Sequence, residues 1–146
     1  MVTRILTALG VLVSGAVHLY LWFDGFRDVD VIGPSFMLNA IAGLVIAVAV
    51  IVWRHWLPLL VAVGFGFSTL TAFLISTTVG LFGVNEVFWG TSQMLAAGSE
   101  ILAIVAGCVA LWQENRAFVA RFIGRPSGSQ PVRHRRFHRS APPAAH

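Results

Sequence analysis

The chain has 146 residues, 57% of them hydrophobic and only 11% charged, where soluble domains average about 25% charged residues; a water-soluble fold of this size would struggle to cover its core. All ten basic residues are arginine, the formal net charge is +4, and the lone cysteine, Cys108, excludes a disulfide framework, a cysteine zinc cluster and a paired redox motif. Cys108 lies in an apolar run, where a small buried hydrophobe is the expected role.

The first apolar run, residues 5–23, follows Arg4 and carries Ser14 and His18. A secretory signal peptide competes here, because Ser14-Gly15-Ala16 loosely resembles a processing site. The run continues past that site, and cleavage would strand its second half, so retention as a membrane helix is expected. A second run covers 34–53 and opens on Gly33-Pro34; a third covers 57–79 with Pro58 in its first turn; a fourth covers 92–112. Proline suits a first helical turn, where its missing N–H would be unsatisfied anyway. Each run has the roughly 20 residues needed to cross about 30 Å of hydrocarbon. None shows the alternation of a membrane β-barrel strand. The expected fold is therefore all-α: a polytopic membrane protein forming a compact four-transmembrane-helix bundle from two helical hairpins, over residues 1–123.

Trp22, Trp53, Trp56, Trp89, Trp112 and Tyr20 all fall at or beside expected helix ends, where amphipathic rings sit at headgroup level. Arg4, Arg54 and the arginines after the fourth run share one side, against Arg27 alone on the other with Asp24, Asp28, Asp30 and Glu86. The positive-inside bias then puts both termini in the cytoplasm of a multi-pass plasma-membrane protein. From 124 to 146 the chain turns polar, proline-rich and basic, a composition expected to stay disordered. Arg133, Arg135, Arg136 and Arg139 are expected to solubilise the tail, set topology, or meet anionic lipid headgroups. Nucleic acid is the weakest of these readings. The acidic residues on the opposite side fit no calcium loop and read as solvated charge.

A shift of 57 residues superposes Gly33, Ser35, Met37, Leu38 and Ala40 on Gly90, Ser92, Met94, Leu95 and Ala97, as a parallel duplication of two hairpins would. Within the membrane, small and polar residues recur on one face of each run: Gly10, Ser14 and His18; Ser35, Asn39, Gly43 and Ala47; Gly64, Ser68, Thr71 and Thr78; and Gln93, Ala96, Ala97, Glu100, Ala103 and Gly107. Helices in lipid associate through close packing and interhelical hydrogen bonds, so these faces should meet, with Gly10, Ser14, Gly43, Gly64, Ser68 and Gly107 as packing positions.

Glu100 is the most informative residue. It falls about 12 Å into the fourth helix at 1.5 Å per residue, where an ionised carboxylate is costly and such groups face protein or a cavity. Either it is a neutral acid bonding a neighbouring helix or it is a working site. His18 and Asn39 fall at similar depth, roughly 7 to 8 Å from their helix ends. A polar pocket of His18, Asn39 and Glu100, lined further by Gln93 and Thr78, is the candidate ligand-binding or proton-coupling site. The competing reading is a satisfied packing network without a ligand.

No phosphate-cradling loop, dinucleotide fingerprint, metalloprotease helix or nucleophile elbow is present, and no metal or cofactor is expected. His18-Leu19-Tyr20, Ile32-Gly33-Pro34 and Leu81-Phe82-Gly83 resemble the small four-helix membrane proteins of actinobacterial type, over residues 4 to 112. The resemblance implies the architecture and no activity. The expectation is a non-enzymatic accessory or scaffold protein, assembling with itself or a larger membrane complex. The alternative is a small transporter or lipid-soluble ligand-binding protein centred on His18, Asn39 and Glu100.

Overall fold

A computed structural model of the chain describes residues 1–80 and 90–123, with side chains through 116. Among the described residues there are four α-helices: α1, Val2–Leu21; α2, Ile32–Val52; α3, Trp56–Thr78; and α4, Thr91–Ile123. Each contains a stretch long and apolar enough to cross a membrane, and the fold is the expected all-α polytopic bundle. The basic tail with Arg133, Arg135, Arg136 and Arg139, and Glu86, Trp89 and Leu81-Phe82-Gly83, lie outside the described residues. In α4 the helix does not stop near 112 but runs on to Ile123, so Trp112 lies within it, stacked under the Arg116 guanidinium at 4.1 Å. The apolar pattern marks where the membrane ends, which is not where the helical hydrogen bonds end.

Local chemistry sets the other boundaries. α1 leads directly into one π-helical turn, Trp22–Phe26, closed by Gly25 at φ 121°, a conformation glycine adopts freely. Val31, before α2, has φ 67°, rare for a β-branched residue. Two hydrogen bonds from Ser35 hold its carbonyl there, one from the backbone N at 3.1 Å and one from Oγ at 2.5 Å. At α3 the His55 ring accepts from the Leu57 backbone N at 3.2 Å, filling one of the donors a helix start leaves free. Gly80 ends α3 at φ 81°, its N–H donating to Ile75 O.

α1 packs extensively against both α2 and α4, and α3 packs against α4, whereas α2 and α3 barely touch. Around the bundle the order is therefore α2, α1, α4, α3, with a weak seam between the last and the first. Small residues bring the backbones together: Gly15 and Gly43 face each other across α1 and α2, and a Cβ on Gly43 would lie 3.0 Å from the Gly15 Cα. Between α1 and α4, a Cβ on Gly10 would stand 2.8 Å from both Ala103 N and Ser99 O. Val11, Val50, Leu59, Ala62 and Ala103 fill the centre with no exposure, while Leu9, Val45, Val48, Phe67, Ile101 and Val105 point outward. Outward-facing aliphatics are what lipid requires of a spanning bundle.

The end of the bundle where α1 begins is clamped by Arg4. Its guanidinium grips the Glu114 carboxylate of α4 through Nε at 2.6 Å and Nη2 at 3.0 Å. It also donates to the carbonyls of Val50 at 2.8 Å, Trp53 at 3.2 Å and His55 at 2.7 Å. One buried side chain thus ties α1 to α4, to the Val50 carbonyl in the last turn of α2 and to the turn that leads into α3.

Candidate functional site

Toward the opposite end of the bundle, a cavity of about 410 Å³ is lined by all four helices. α1 contributes His18, α2 contributes Ser35, Phe36 and Asn39, α3 contributes Thr69 and Ser76, and α4 contributes Gln93 and Glu100. Four of the five expected pocket residues, His18, Asn39, Gln93 and Glu100, therefore share one cavity.

Ser14 organises its deep wall. The Ser14 hydroxyl, with no exposure, donates to Glu100 Oε1 at 3.1 Å. The Ser14 carbonyl lies 2.8 Å from His18 Nδ1. A carbonyl only accepts, so Nδ1 carries the proton; in the neutral form of the ring Nε2 then presents a lone pair. The His18 ring stands edge-on to Phe36 at 5.2 Å, and Phe36 in turn meets Phe26 of the π turn at 5.2 Å. The turn after α1 thereby fixes the histidine through two aromatic contacts.

Glu100 is only 1% exposed, yet its Oε2 has no hydrogen-bond partner among the described residues. Thr69 lines the same cavity, and its hydroxyl is turned back to its own helix, to Phe65 O at 2.9 Å and Gly66 O at 3.1 Å. A buried acceptor or donor left unpaired costs about 1–3 kcal/mol. Neither the Asn39 carboxamide nor His18 Nε2 is hydrogen-bonded among the described residues. Three groups able to bond a guest border the same space. The larger cleft at the terminal end, about 1100 Å³, differs in this respect. Its buried polar side chain, Arg4, already makes five hydrogen bonds.

Thr78 does not belong to the pocket. It is exposed, and among the described residues it is bonded only to the Leu74 and Ile75 carbonyls of its own helix. Gly64 is also exposed, with nothing near enough to meet a Cβ, so it packs against no helix. Both errors have one cause: the inward face of α3 is the stripe Ala62, Gly66, Thr69 and Ser76. Gly64 is two residues from Gly66, about 200° away around a helix of 3.6 residues per turn. Ser68 is exposed as well and borders the cavity at its rim. Gly10, Gly43 and Gly107 are buried at helix contacts as expected, and Ser14 is both a packing residue and the partner of Glu100. Cys108 faces outward rather than into the core. Among the described residues, no group of three or more potential ligands could hold a metal ion.

No protein-family model, curated protein or solved structure matches the chain.

Proposed function

We propose that this multi-pass membrane protein binds a small lipid-soluble ligand inside the bilayer, with Glu100, His18 and Asn39 holding its polar group. The observation that carries this reading is the unpartnered Oε2 of Glu100 at the wall of a 410 Å³ cavity. Within hydrocarbon such an atom has no solvent to turn to, and a ligand that supplies a partner recovers its cost. The arginine bias supports a topology with both termini in the cytoplasm, in which the cavity opens toward the other half of the membrane.

A purely structural subunit, assembling with itself or a larger complex, draws support from the broad apolar outer face of α2, including Leu38, Ile41, Leu44, Val45 and Val48. Lipid covers such a face equally well, and assembly leaves the polar cavity unexplained. The intramembrane binding reading accounts for both.

The test uses the full chain in lipid nanodiscs and 4-azidophenol, a small lipid-soluble photoprobe, with labelled peptides located by mass spectrometry. Labelling is expected on the segments around His18, Asn39 and Glu100, and to fall at least tenfold in Glu100→Leu with thermal stability retained. Labelling spread evenly over lipid-facing residues, and unchanged in that variant, refutes the reading.

A further inference from the structure

The cavity has a side opening, and its chemistry selects among lipids. The seam between α2 and α3 is the weakest contact between consecutive helices, and the cavity reaches the bundle surface there. Ser68 and Thr71 of α3 border the cavity and are exposed, while Ser35 and Asn39 of α2 border it half-buried. All four belong to membrane-spanning segments, so what lies outside this mouth is the bilayer.

Volume and charge then define the occupant. Taking the roughly 30 Å³ of a liquid water as a yardstick for one carbon-sized group, 410 Å³ accommodates about fourteen such groups. A membrane lipid with a long chain exceeds this and must leave its tail outside. Among the described lining residues there is no arginine or lysine; the titratable groups are His18 and Glu100. A phosphate head would lose its hydration with no cation to compensate, a penalty of several kcal/mol even after relaxation. A neutral head with hydroxyl or carbonyl groups loses little, and can donate to His18 Nε2 or bond Glu100 Oε2 and the Asn39 amide.

Resting on the binding reading above, we infer that the ligand is a single-headed, uncharged lipid that enters sideways between α2 and α3 and is held with its head at Glu100 and its tail in the bilayer. Ser68 and Thr71 form the lip over which the tail passes.

The experiment compares two photoprobes of equal chain length in phosphatidylcholine nanodiscs containing the full chain: a diazirine-bearing hexadecanol and a diazirine-bearing hexadecyl phosphate. 4-Azidophenol is run in parallel as the tail-free probe. The alcohol is expected to label the cavity at least tenfold more than the phosphate. Thr71→Trp and, separately, Ser68→Trp are expected to reduce alcohol labelling at least tenfold at equilibrium, whereas Val45→Trp, on the outer face and away from the cavity, is expected to change alcohol and azidophenol labelling less than twofold. Equal labelling by the alcohol and the phosphate overturns the assignment of an uncharged head. Full alcohol labelling in both tryptophan variants overturns the α2–α3 route. Loss of azidophenol labelling from the wild-type cavity would instead refute the binding reading itself.

Discussion

Adding a single methyl group at Gly10 should loosen the contact that places Ser14 against Glu100. A Cβ at this position would lie 2.8 Å from Ala103 N and from Ser99 O, and ordinary van der Waals contact begins at 3.4 Å. Both obstacles are helix backbone and cannot rotate away. α1 and α4 must therefore separate by about 0.6 Å. Carried one turn along α1, that shift stretches the Ser14–Glu100 hydrogen bond from 3.1 Å to about 3.7 Å, beyond bonding range. Overpacking of this kind costs about 1–3 kcal/mol, against at most about 1 kcal/mol gained from replacing a helical glycine by alanine. Gly10→Ala should thus be net destabilised and lose azidophenol labelling. Gly64→Ala and Gly98→Ala, where a Cβ meets nothing within 4 Å, should be neutral or slightly stabilised. Tryptophan fluorescence during titration from dodecyl maltoside into SDS measures all three. If Gly10→Ala unfolds at the same SDS fraction as Gly64→Ala, the close approach of α1 to α4 is wrong.

Arg4→Met should lose about 1–3 kcal/mol in the same titration, because the Val50 and His55 carbonyls lose its hydrogen bonds while Glu114, 39% exposed, can turn to water. Arg4→Lys should restore less than half, since an ammonium cannot span the same fork. Ser14→Ala removes the donor to Glu100 Oε1 and should cost about 1–2 kcal/mol; combined with Glu100→Leu it should cost less than the sum of the two, and strict additivity would show that the bond contributes nothing. With Cys108 replaced by alanine, an Asp28→Cys variant should react with a membrane-impermeant maleimide only from the side opposite both termini. Labelling from the terminal side would refute four crossings.

The four helices were legible because a membrane span is written locally, in about 20 consecutive residues that need no knowledge of their neighbours. The pocket was partly legible for the same reason. Glu100, Asn39 and His18 are costly in lipid wherever they occur, and each could be placed at its depth by counting from a helix end. The rotation of α3 was not legible, since Gly64-Ser68-Thr71 and Ala62-Gly66-Thr69 are both small or polar at helical spacing and only the partner helix chooses between them. Arg4 was read as a mark of topology alone. Its second role depends on Glu114, 110 residues away, and no local pattern announces that pairing. The extension of α4 to Ile123 escaped because hydropathy falls where the helix leaves the membrane, although the backbone continues.

The bonds that hold α1 and α4 together also impose an order on biogenesis. α1 enters the membrane first, carrying Arg4, Ser14 and His18. Its partners Glu100 and Glu114 are 86 and 110 residues further along. At a synthesis rate of about 5–20 residues per second, α1 waits roughly 5 to 20 s before α4 arrives. During that interval Gly15 and Gly43 let α1 and α2 close against each other as an early pair, but the guanidinium of Arg4 has neither carboxylate. The nascent hairpin is therefore the species in which Arg4 and Ser14 lack their carboxylate partners. A chain truncated before residue 100 should be cleared by membrane proteases even though three of its helices are intact.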